Sequence, residues 1–376
     1  MPLKVKKFIK RTLLLLRKIL FQFISIFTFF LRTKTLDKSK VEKVLIFAQK
    51  RIGDTIVSIP AFRAIKENFP KSQITVFSIS YIKDILDRIG DIDNIVTYDK
   101  EFSLFQRAKL AKNLSTNRFD LAVDLTCDYT LESALLAFLS RAKYRVGYNT
   151  YGRGFLFHKS VPHEKEYIHI TDEILNIARS INLDTDNKNL RISASAEAQE
   201  AARQDLRENN IESEDVLVGI HPGGHYPTQR WSTDRFAKLA DRLIERYHVK
   251  IILLGGPKEL ELINLMKKNM QNIPIIFLNQ PVRNLLALIQ SCRLLICNNS
   301  GPLHLATALG IPTVSFMGPT IPKRWWPQGK DHVVIRKDLS CMPCNEGFCK
   351  LKTQDCMKLI TVEEALEAID KILPNI

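Results

Sequence analysis

Residues 44–79 read VLIFAQKRIGDTIVSIPAFRAIKENFPKSQITVFSI, which is an apolar run, a helical stretch over 56–68 closed by Pro70, and a second apolar run. Strand, helix and strand in succession are typical of a parallel sheet covered by helices. The alternation continues through NIVTYD, a helical stretch near 104–114 and the strand DLAVDL, and it ends near Arg145. The pattern predicts one doubly wound α/β domain.

The same alternation starts afresh at Val216, after a polar stretch over residues 187–214 that predicts a helix and a connector. The predicted strands and their loops are VLVGIHPGG, KIILLGG, PIIFL, LLICNNS and PTVSFMG. Helices are predicted over 233–247, 259–269 and 284–291, from Gly301 onward, and over 362–373. We therefore expect an α/β protein with two Rossmann-like domains facing a cleft.

The amino-terminal segment and the net charge indicate an anionic partner. The formal net charge is +15, from 55 Lys and Arg against 40 Asp and Glu, and nucleic acid, a membrane surface and a phosphorylated substrate all fit it. Basic residues between Lys4 and Lys18 precede an apolar run over 19–31, which is shorter than the ~20 residues that span a bilayer. We expect a helix lying on the membrane surface. A spanning helix, a secretory signal and an ordinary packing helix are the alternatives, and the basic residues after the run favour the cytoplasmic side.

The loop after the first strand, Gln49–Thr55, contains the first candidate site residues. The carboxyl ends of strands are where open α/β folds bind ligands, so Asp54 is expected to reach the cleft. Gly53 permits a close approach of the backbone. The alternative is that Asp54 only caps the helix that follows.

The corresponding loop of the second half is His221–Ser232. Backbone N–H groups of a turn at Gly223 and Gly224 are suited to a phosphate, and Arg230 offers a bidentate fork to a diphosphate. A solvated surface cation is the alternative for Arg230. We interpret Trp231 as a core residue.

A third loop, Asn298–His304, joins a predicted strand to a predicted helix. Ser300 stands at the cap position, followed by Gly301, with Pro302 in the first turn. The N–H groups and the dipole at such a helix start form an anion site. His304 is either a ligand contact or a buried, hydrogen-bonded histidine.

Taken in this order, GDTIVSIPAFRAIKENFP, HPGGHYPTQRWS and NNSGPLHLATALGIPTVSFMGPT resemble glycosyltransferase family 9, which consists chiefly of heptosyltransferases with the GT-B fold. The resemblance covers nearly everything after residue 40. It implies an inverting transfer of heptose from ADP-heptose, a nucleotide sugar, to a lipopolysaccharide core acceptor, with no metal and no other cofactor. Many relatives have Lys at the position of Gln229 and Asp at that of Asn299, and both departures concern the donor pocket.

Carried over by position, the resemblance makes Asp54 the general base. The donor-binding residues that we expect are Gly53, Gly223, Gly224, Arg230, Asn299, Ser300, Gly301 and His304. The expected domains are a membrane anchor over 1–38, an acceptor domain over 39–205 and a nucleotide-sugar domain with the last helix over 206–376. The expected partners are a nucleotide sugar, a lipopolysaccharide or other anionic glycolipid and a membrane surface, without nucleic acid, for a peripheral protein on the cytoplasmic side of a bacterial inner membrane.

Alternatives remain open for the function, the catalytic base and the cysteine loop. The enzyme could use another nucleotide sugar on a cell-surface glycolipid or polysaccharide, or the protein could be a glycolipid-binding relative without activity. His225 is the next candidate base. Two short DxD matches, residues 91–93 and 184–186, are interpreted as solvated turns. Four cysteines, Cys341, Cys344, Cys349 and Cys356, are interpreted as part of a structural loop, with zinc as the alternative.

Overall fold

The computed structural model describes residues 12–21, 34–99, 101–127, 129–164 and 166–373. The chain divides into two compact units, Met1–Asn189 and Leu190–Ile376. Each unit contains one six-stranded parallel sheet. The prediction of a two-domain α/β fold is therefore confirmed.

The first unit has its strands in the order β3-β2-β1-β4-β5-β6. These strands are β1 (Lys43–Phe47), β2 (Gln73–Ile79), β3 (Asn94–Tyr98), β4 (Leu121–Asp124), β5 (Tyr144–Tyr148) and β6 (Lys159–Val161). The helices are α1 (residues 12–21), α2 (Ile52–Ile56), α3 (Ile59–Asn68), α4 (Lys83–Leu86), α5 (Leu104–Thr116), α6 (Glu132–Leu139) and α7 (Ile170–Arg179). Because β1 pairs with both β2 and β4, the strand order reverses between β1 and β4, where a doubly wound sheet binds its ligand.

The helix predicted over 56–68 is wrong in its extent, because the chain forms α2 and α3 with a break at Val57 and Ser58. The Ser58 hydroxyl donates a hydrogen bond to the Asp54 carbonyl oxygen at 2.6 Å. Pro60 lies in the first turn of α3, where its missing N–H costs nothing. A new helix therefore starts there, and α2 becomes a separate short helix that holds Asp54.

The second unit repeats the topology with the order β12-β11-β10-β7-β8-β9. Its strands are β7 (Leu217–His221), β8 (Lys250–Gly255), β9 (Ile275–Leu278), β10 (Leu294–Asn298), β11 (Thr313–Phe316) and β12 (His332–Ile335). The helices are α8 (Ala196–Glu208), α9 (Thr233–Tyr247), α10 (Leu260–Asn269), α11 (Val282–Ser291), α12 (Gly301–Leu309), α13 (Pro322–Trp325), α14 (Asp355–Lys358) and α15 (Val362–Asp370). The helices predicted in this half are all present, and the strand order reverses between β7 and β10.

Trp231 anchors the core of the second unit, as predicted, and is 1% exposed. Its ring lies 4.1 Å from the ring of Phe316 and 5.1 Å from that of Phe236, measured between centroids. The indole N–H donates to the Ile360 carbonyl oxygen at 2.9 Å, so the buried nitrogen is satisfied. This packing fixes the carboxyl end of the loop that begins at His221.

The division between the units falls at Asn189 and Leu190, whereas the sequence analysis placed it between residues 205 and 206. The difference concerns α8, which packs against α11 of the second unit. The connector before it is bonded to the same unit, since the Ile192 N–H donates to the Ala308 carbonyl at 3.0 Å and the Ala194 N–H donates to the Gln290 side chain at 2.8 Å.

The predicted anchor segment is described in part. Residues 12–21 form α1, and the ring of Phe21 lies 4.8 Å from that of Phe155 in the same unit. Across the described ranges, none of the helices has the length and apolar character needed to cross a bilayer. Residues 1–11 and 22–33, which belong to the predicted anchor, lie outside the described residues.

Candidate functional site

The loop after β1 is tied to its surroundings on several sides. The Gln49 amide donates to the Leu125 carbonyl after β4 at 2.7 Å, and the Thr55 hydroxyl donates to the Arg51 carbonyl at 2.9 Å. The Tyr81 hydroxyl donates to the Lys50 carbonyl. The backbone that leads into α2 is therefore fixed at the point where the strand order reverses.

Asp54 is the third residue of α2, and the N-cap of this helix is Arg51. The alternative that Asp54 is the cap is thus not what the structure shows. A carboxylate in the first turn is stabilised by the partial positive charge of the helix start. Partial burial raises the pKa of the nearby Tyr81 phenol, Arg51 opposes this shift, and the Asp54 carboxylate adds to it. Asp54 therefore lies partly exposed near the Tyr81 phenol, on a backbone segment held by the contacts described above.

A cluster centred on Glu132, which the sequence analysis missed, borders the same loop. The Glu132 carboxylate accepts hydrogen bonds from Lys50 at 2.7 Å, Arg107 at 2.8 Å and the Tyr98 hydroxyl at 2.9 Å. Burial opposes its ionisation, but these partners outweigh burial and hold the pKa of Glu132 below its ordinary value. The cluster brings two cations to the carboxyl edge of the first sheet. No local sequence motif predicts this cluster, because its residues lie on separate elements of the fold.

Asp124 and Arg153 form a buried pair behind this edge, with both side chains 0% exposed and a separation of 3.8 Å. Asp124 also accepts hydrogen bonds from the Thr126 and Ser133 hydroxyls at 2.6 and 2.9 Å. Arg153 donates to the carbonyl of Thr130 at 3.0 Å. A buried ion pair of this kind needs such additional hydrogen bonds, and here they set the shape of the loop after β4.

In the second unit, the loop after β7 makes a tight turn at Gly223. A Cβ atom at this position would lie 2.6 Å from the His221 ring and 2.7 Å from the Glu259 side chain. Only glycine fits without displacing them. At Gly224 a Cβ atom would lie 3.1 Å from the Arg230 side chain. The structure therefore gathers Gly223, Gly224 and Arg230 in one place, as expected for a phosphate-binding turn.

The guanidinium of Arg230 already makes a fork, but with its own loop. Its Nε and Nη2 atoms donate to the Gly224 carbonyl oxygen at 3.1 and 3.0 Å. Arg230 is half-buried, so the alternative of a freely solvated surface cation does not describe it. The contact holds a positive charge beside the glycine turn.

The start of α12 lies at the end of β10, where the strand order reverses. Ser300 is the N-cap of this helix, but its hydroxyl does not cap the first turn and donates instead to the Asn298 carbonyl at 3.2 Å. The N-terminal pole at Gly301 is consequently left without a side-chain cap, which suits an anion. The Asn299 amide donates to the Trp325 carbonyl at 3.2 Å, and His304 is buried with its ring 5.8 Å from that of Trp325.

Asn298, which the sequence analysis did not single out, joins the loops after β7 and β10. Its amide nitrogen donates to the carbonyls of Pro222 and Gly223 at 2.9 and 3.0 Å, and its carbonyl accepts from the Trp231 N–H at 2.9 Å. The side chain is 0% exposed. A polar residue at the end of an otherwise apolar strand was the available signal for this role.

His221 and Glu259 complete the pocket around Gly223. Burial lowers the pKa of His221, the charge of Glu259 opposes this, and the charge of Arg230 reinforces it. Within the described part of the chain, the Nδ1 atom of His221 is buried without a hydrogen-bond partner. Burial therefore favours the neutral imidazole, and the unpartnered Nδ1 atom makes His221 a further candidate for ligand binding. By contrast, His225 is exposed, and its ring lies 4.3 Å from that of Tyr226.

The two DxD matches are turn residues, as interpreted. Asp93 directly precedes β3, at the amino edge of the sheet, and accepts hydrogen bonds from the Ile74 N–H at 2.8 Å and from Lys66 at 3.1 Å. Asp184 forms an ion pair with Arg179 at 3.0 Å. Neither DxD match lies near Asp54 at the carboxyl edge of the first sheet.

The cysteine-rich loop lies against the loop after β7. The Thr228 hydroxyl donates to the Glu346 carbonyl at 3.0 Å, and a Cβ atom at Gly347 would lie 2.8 Å from the Tyr226 ring. The four thiols are near one another: burial raises the pKa of Cys356 to about 11, and the other three cysteines add to this shift. Among the described residues, no group of three or more His, Cys, Asp or Glu side chains is arranged to hold a metal ion. The contacts at Thr228 and Gly347 pack this loop against the loop after β7.

Comparison with known proteins assigns this arrangement to a family. The sequence profile described as glycosyltransferase family 9 (heptosyltransferase) matches residues 107–354. A lipooligosaccharide heptosyltransferase 2 from Campylobacter jejuni is 26% identical over 336 residues, which are 88% of this chain and 99% of that protein.

Two solved structures share the fold. A family 9 glycosyl transferase from Veillonella parvula has a TM-score of 0.80 at 23% identity, covering 89% of this chain and 98% of that one. The Escherichia coli ADP-heptose lps heptosyltransferase II has a TM-score of 0.75 at 21% identity, covering 88% and 98%. The expected GT-B fold is confirmed by these likenesses.

Proposed function

The chain belongs to glycosyltransferase family 9 and is a glycosyltransferase, and from that premise we propose that it transfers heptose from ADP-heptose to a lipopolysaccharide core acceptor. The similar Campylobacter jejuni protein is a lipooligosaccharide heptosyltransferase, and the Escherichia coli structure is of an ADP-heptose enzyme. Both likenesses support this donor and this acceptor class.

The observation that carries the proposal is the gathering of residues 221–232 and 298–304, which we call the donor loops, at the reversal point of the second sheet. Gly223, Arg230 and the uncapped start of α12 at Gly301 lie at the ends of β7 and β10, and Asn298 joins them. Backbone N–H groups, a helix dipole and a guanidinium are the groups that bind a diphosphate. We assign the nucleotide diphosphate of the donor to this position.

The same groups would stabilise the transition state. As the glycosidic bond of the donor breaks, negative charge grows on the leaving diphosphate, and fixed positive groups stabilise this charge without having to reorganise. We propose that Arg230 and the start of α12 do this in place of a metal ion. The guanidinium is already positioned by the Gly224 carbonyl, so it needs little ordering when the donor binds.

Asp54 is the proposed general base. An acceptor hydroxyl must lose its proton as its oxygen attacks the anomeric carbon, and a positioned carboxylate accepts this proton. The partly exposed position of Asp54, on a loop fixed by Gln49 and Tyr81, supports this role. A single displacement then inverts the anomeric centre. The cations Lys50 and Arg107 beside Glu132 are suited to an anionic acceptor.

The two departures from the family pattern have structural partners. The Asn299 amide nitrogen donates to the Trp325 carbonyl, which an aspartate could not do. The Gln229 amide donates to the Thr320 hydroxyl at 3.3 Å and accepts from the Tyr226 N–H at 3.3 Å. Both side chains therefore shape the donor pocket rather than add charge to it, and we propose that the pocket still accepts ADP-heptose.

For the location we propose a peripheral protein on the cytoplasmic side of a bacterial inner membrane. The basic residues between Lys4 and Lys18, followed by the apolar run over 19–31, support this. A membrane surface would also bring the enzyme to a glycolipid acceptor. Cell fractionation at low and high salt tests the location.

A donor panel tests the reaction. Purified protein is incubated with a heptose-deficient lipopolysaccharide and, in turn, with ADP-heptose, UDP-glucose and GDP-mannose, with and without EDTA, and release of nucleoside diphosphate is measured. We expect release with ADP-heptose alone, dependent on the acceptor and unaffected by EDTA. Release of nucleoside diphosphate from one of the other donors alone would identify that nucleotide sugar as the donor. No release from any donor, although ADP binds, would indicate a glycolipid-binding relative without activity.

A further inference from the structure

Within the described residues, one face of α1 lies against the rest of the first unit. Leu14, Arg17 and Phe21 are half-buried, and the Arg17 guanidinium lies 5.8 Å from the ring centroid of Tyr151. A Cβ atom at Gly152 would lie 3.0 Å from that of Phe21, so helix and body are in close contact there. The remaining apolar side chains of α1 are exposed, including Leu13, Leu16 and Leu20 at 58–61%.

A second helix of the same unit also exposes an apolar face. On α6 the small residues Ser133, Ala134 and Ala137 are buried, whereas Leu135, Phe138 and Leu139 are 41–47% exposed. Leucine and phenylalanine at this spacing form one stripe of the helix. Contiguous exposed apolar side chains of this size mark an interaction site.

The two exposed faces flank the same 3₁₀ segment, Thr150–Leu156. α6 packs on this segment, and the ring of Phe155 lies 4.8 Å from that of Phe21 of α1. The Arg145 guanidinium lies 5.3 Å from the ring of Phe138 and donates to the Leu156 carbonyl at 2.9 Å. We define the α1–α6 surface as Leu13, Leu16, Leu20, Leu135, Phe138 and Leu139.

The two segments that form this surface contain basic but no acidic residues, and one of the exposed cations, Lys143, pairs with Asp120 at 2.7 Å. The segments 12–21 and 133–156 contain no Asp or Glu, but they contain Lys18, Arg141 and Lys143, which are exposed. Apolar side chains rimmed by cations are complementary to a bilayer that contains anionic lipid. A second copy of the chain would bring the same cations together, which disfavours self-association through this face.

We propose that the α1–α6 surface inserts into the headgroup region of an anionic bilayer, so that α6 is a second membrane contact beside the amino-terminal segment. The inference rests on the proposed membrane location and not on the reaction. Membrane contact at α6 would orient the carboxyl edge of the first sheet, where Glu132 opens this helix and binds Lys50, toward a lipid-linked acceptor.

Vesicle binding of the full chain, without substrates, tests this surface. The double variant Leu135→Ser, Leu139→Ser is compared with the control Leu260→Ser, Leu265→Ser on α10, whose leucines are equally exposed at 47% and 44%. Cosedimentation with vesicles of phosphatidylethanolamine and phosphatidylglycerol gives the partition coefficient. Loss of two half-exposed leucines should weaken partitioning about tenfold, whereas the control should bind like the wild type.

Circular dichroism melting of both variants checks that neither substitution unfolds the protein, and light scattering reports the oligomeric state. Binding should fall at high salt and on pure phosphatidylcholine vesicles. If the α6 variant binds as tightly as the control, the inference is wrong while the amino-terminal contact stands. A wild-type protein that binds no vesicles overturns both. A wild-type dimer that the α6 variant converts to a monomer would show that a second copy covers this face. None of these measurements depends on transfer activity, so a failure of this inference is distinct from a failure of the proposed reaction.

Discussion

The contacts of Arg230 could be predicted in part from its position in the loop after β7. The sequence predicted that this guanidinium binds a diphosphate. The structure shows its Nε and Nη2 atoms donating to the Gly224 carbonyl, beside the glycine turn. The residue thus has two tasks, since it holds the turn and presents a charge. Removing it should affect donor binding more than folding.

Arg230→Ala should weaken ADP and donor binding by about 1.5–3 kcal/mol, the usual value of a charge-assisted hydrogen bond, and should lower turnover as well. Isothermal titration with ADP measures the first effect. Arg242→Ala, which removes an exposed cation from α9, is the matched control and should leave both unchanged. Equal affinity in the two variants would contradict the assignment of the diphosphate.

The lowered pKa of His158 predicts that the stability of the first unit depends on pH. Burial, followed by the charges of Arg145 and Lys34, lowers its pKa to about 4 from 6.5, and its Nδ1 atom accepts the Arg145 N–H at 3.0 Å. The folded state therefore favours the neutral ring. The stabilisation is complete above the unfolded pKa of 6.5 and is lost as the pH falls toward 4.

His158→Asn keeps an acceptor that does not titrate. Urea unfolding at pH 7 and pH 4 should show that the wild type loses about 1–2 kcal/mol more than this variant, less than the full shift would give because the ring is partly exposed. Equal losses in the two proteins would mean that His158 is protonated in the folded state as easily as in the unfolded chain.

At the scale of elements, the strand–loop–helix units position the groups that we propose bind the donor. Gly223 lies in the turn after β7, and a Cβ atom there would meet His221 and Glu259. Gly223→Ala should therefore displace the turn and weaken ADP binding at least tenfold with a smaller loss of stability. At Gly90 of the first unit a Cβ atom would meet nothing within 4 Å, so Gly90→Ala is the control and should leave ADP affinity unchanged. ADP affinity in Gly223→Ala equal to that in the control would show that the turn does not hold the donor.

The elements could be predicted from the sequence, because apolar strands and amphipathic helices alternate with clear turn residues. The break between α2 and α3 could not be located, since Pro60 is compatible with both a helix start and a turn. The two donor loops follow strands, and this position allowed Gly223, Arg230 and Ser300 to be named as candidates. The Glu132–Lys50 ion pair and the hydrogen bonds of Asn298 join segments that are distant in the sequence. A local sequence pattern therefore could not predict them.

For the whole molecule, the position of α8 decides where the second unit can be separated. Its residues Ala198, Ala202 and Leu206 are buried, and the helix packs on α11. A fragment of residues 190–376 should fold and bind ADP with nearly the affinity of the full chain. A fragment of 206–376, which exposes the α11 face, should melt at a lower temperature. Equal melting temperatures would place the functional boundary at residue 206, as the sequence alone indicated.

The measurement that tests the account most directly is the turnover of Asp54→Asn with ADP-heptose and a heptose-deficient lipopolysaccharide, together with its ADP affinity. The substitution keeps the size of the side chain and removes the base. We expect turnover to fall roughly 10²–10⁴-fold while ADP binding, a property of the second unit, stays as in the wild type. Asp87→Asn, which alters an exposed carboxylate after α4, is the control and should be fully active. Near-normal turnover in Asp54→Asn, or loss of its folded state, would contradict the assignment of Asp54 as the base.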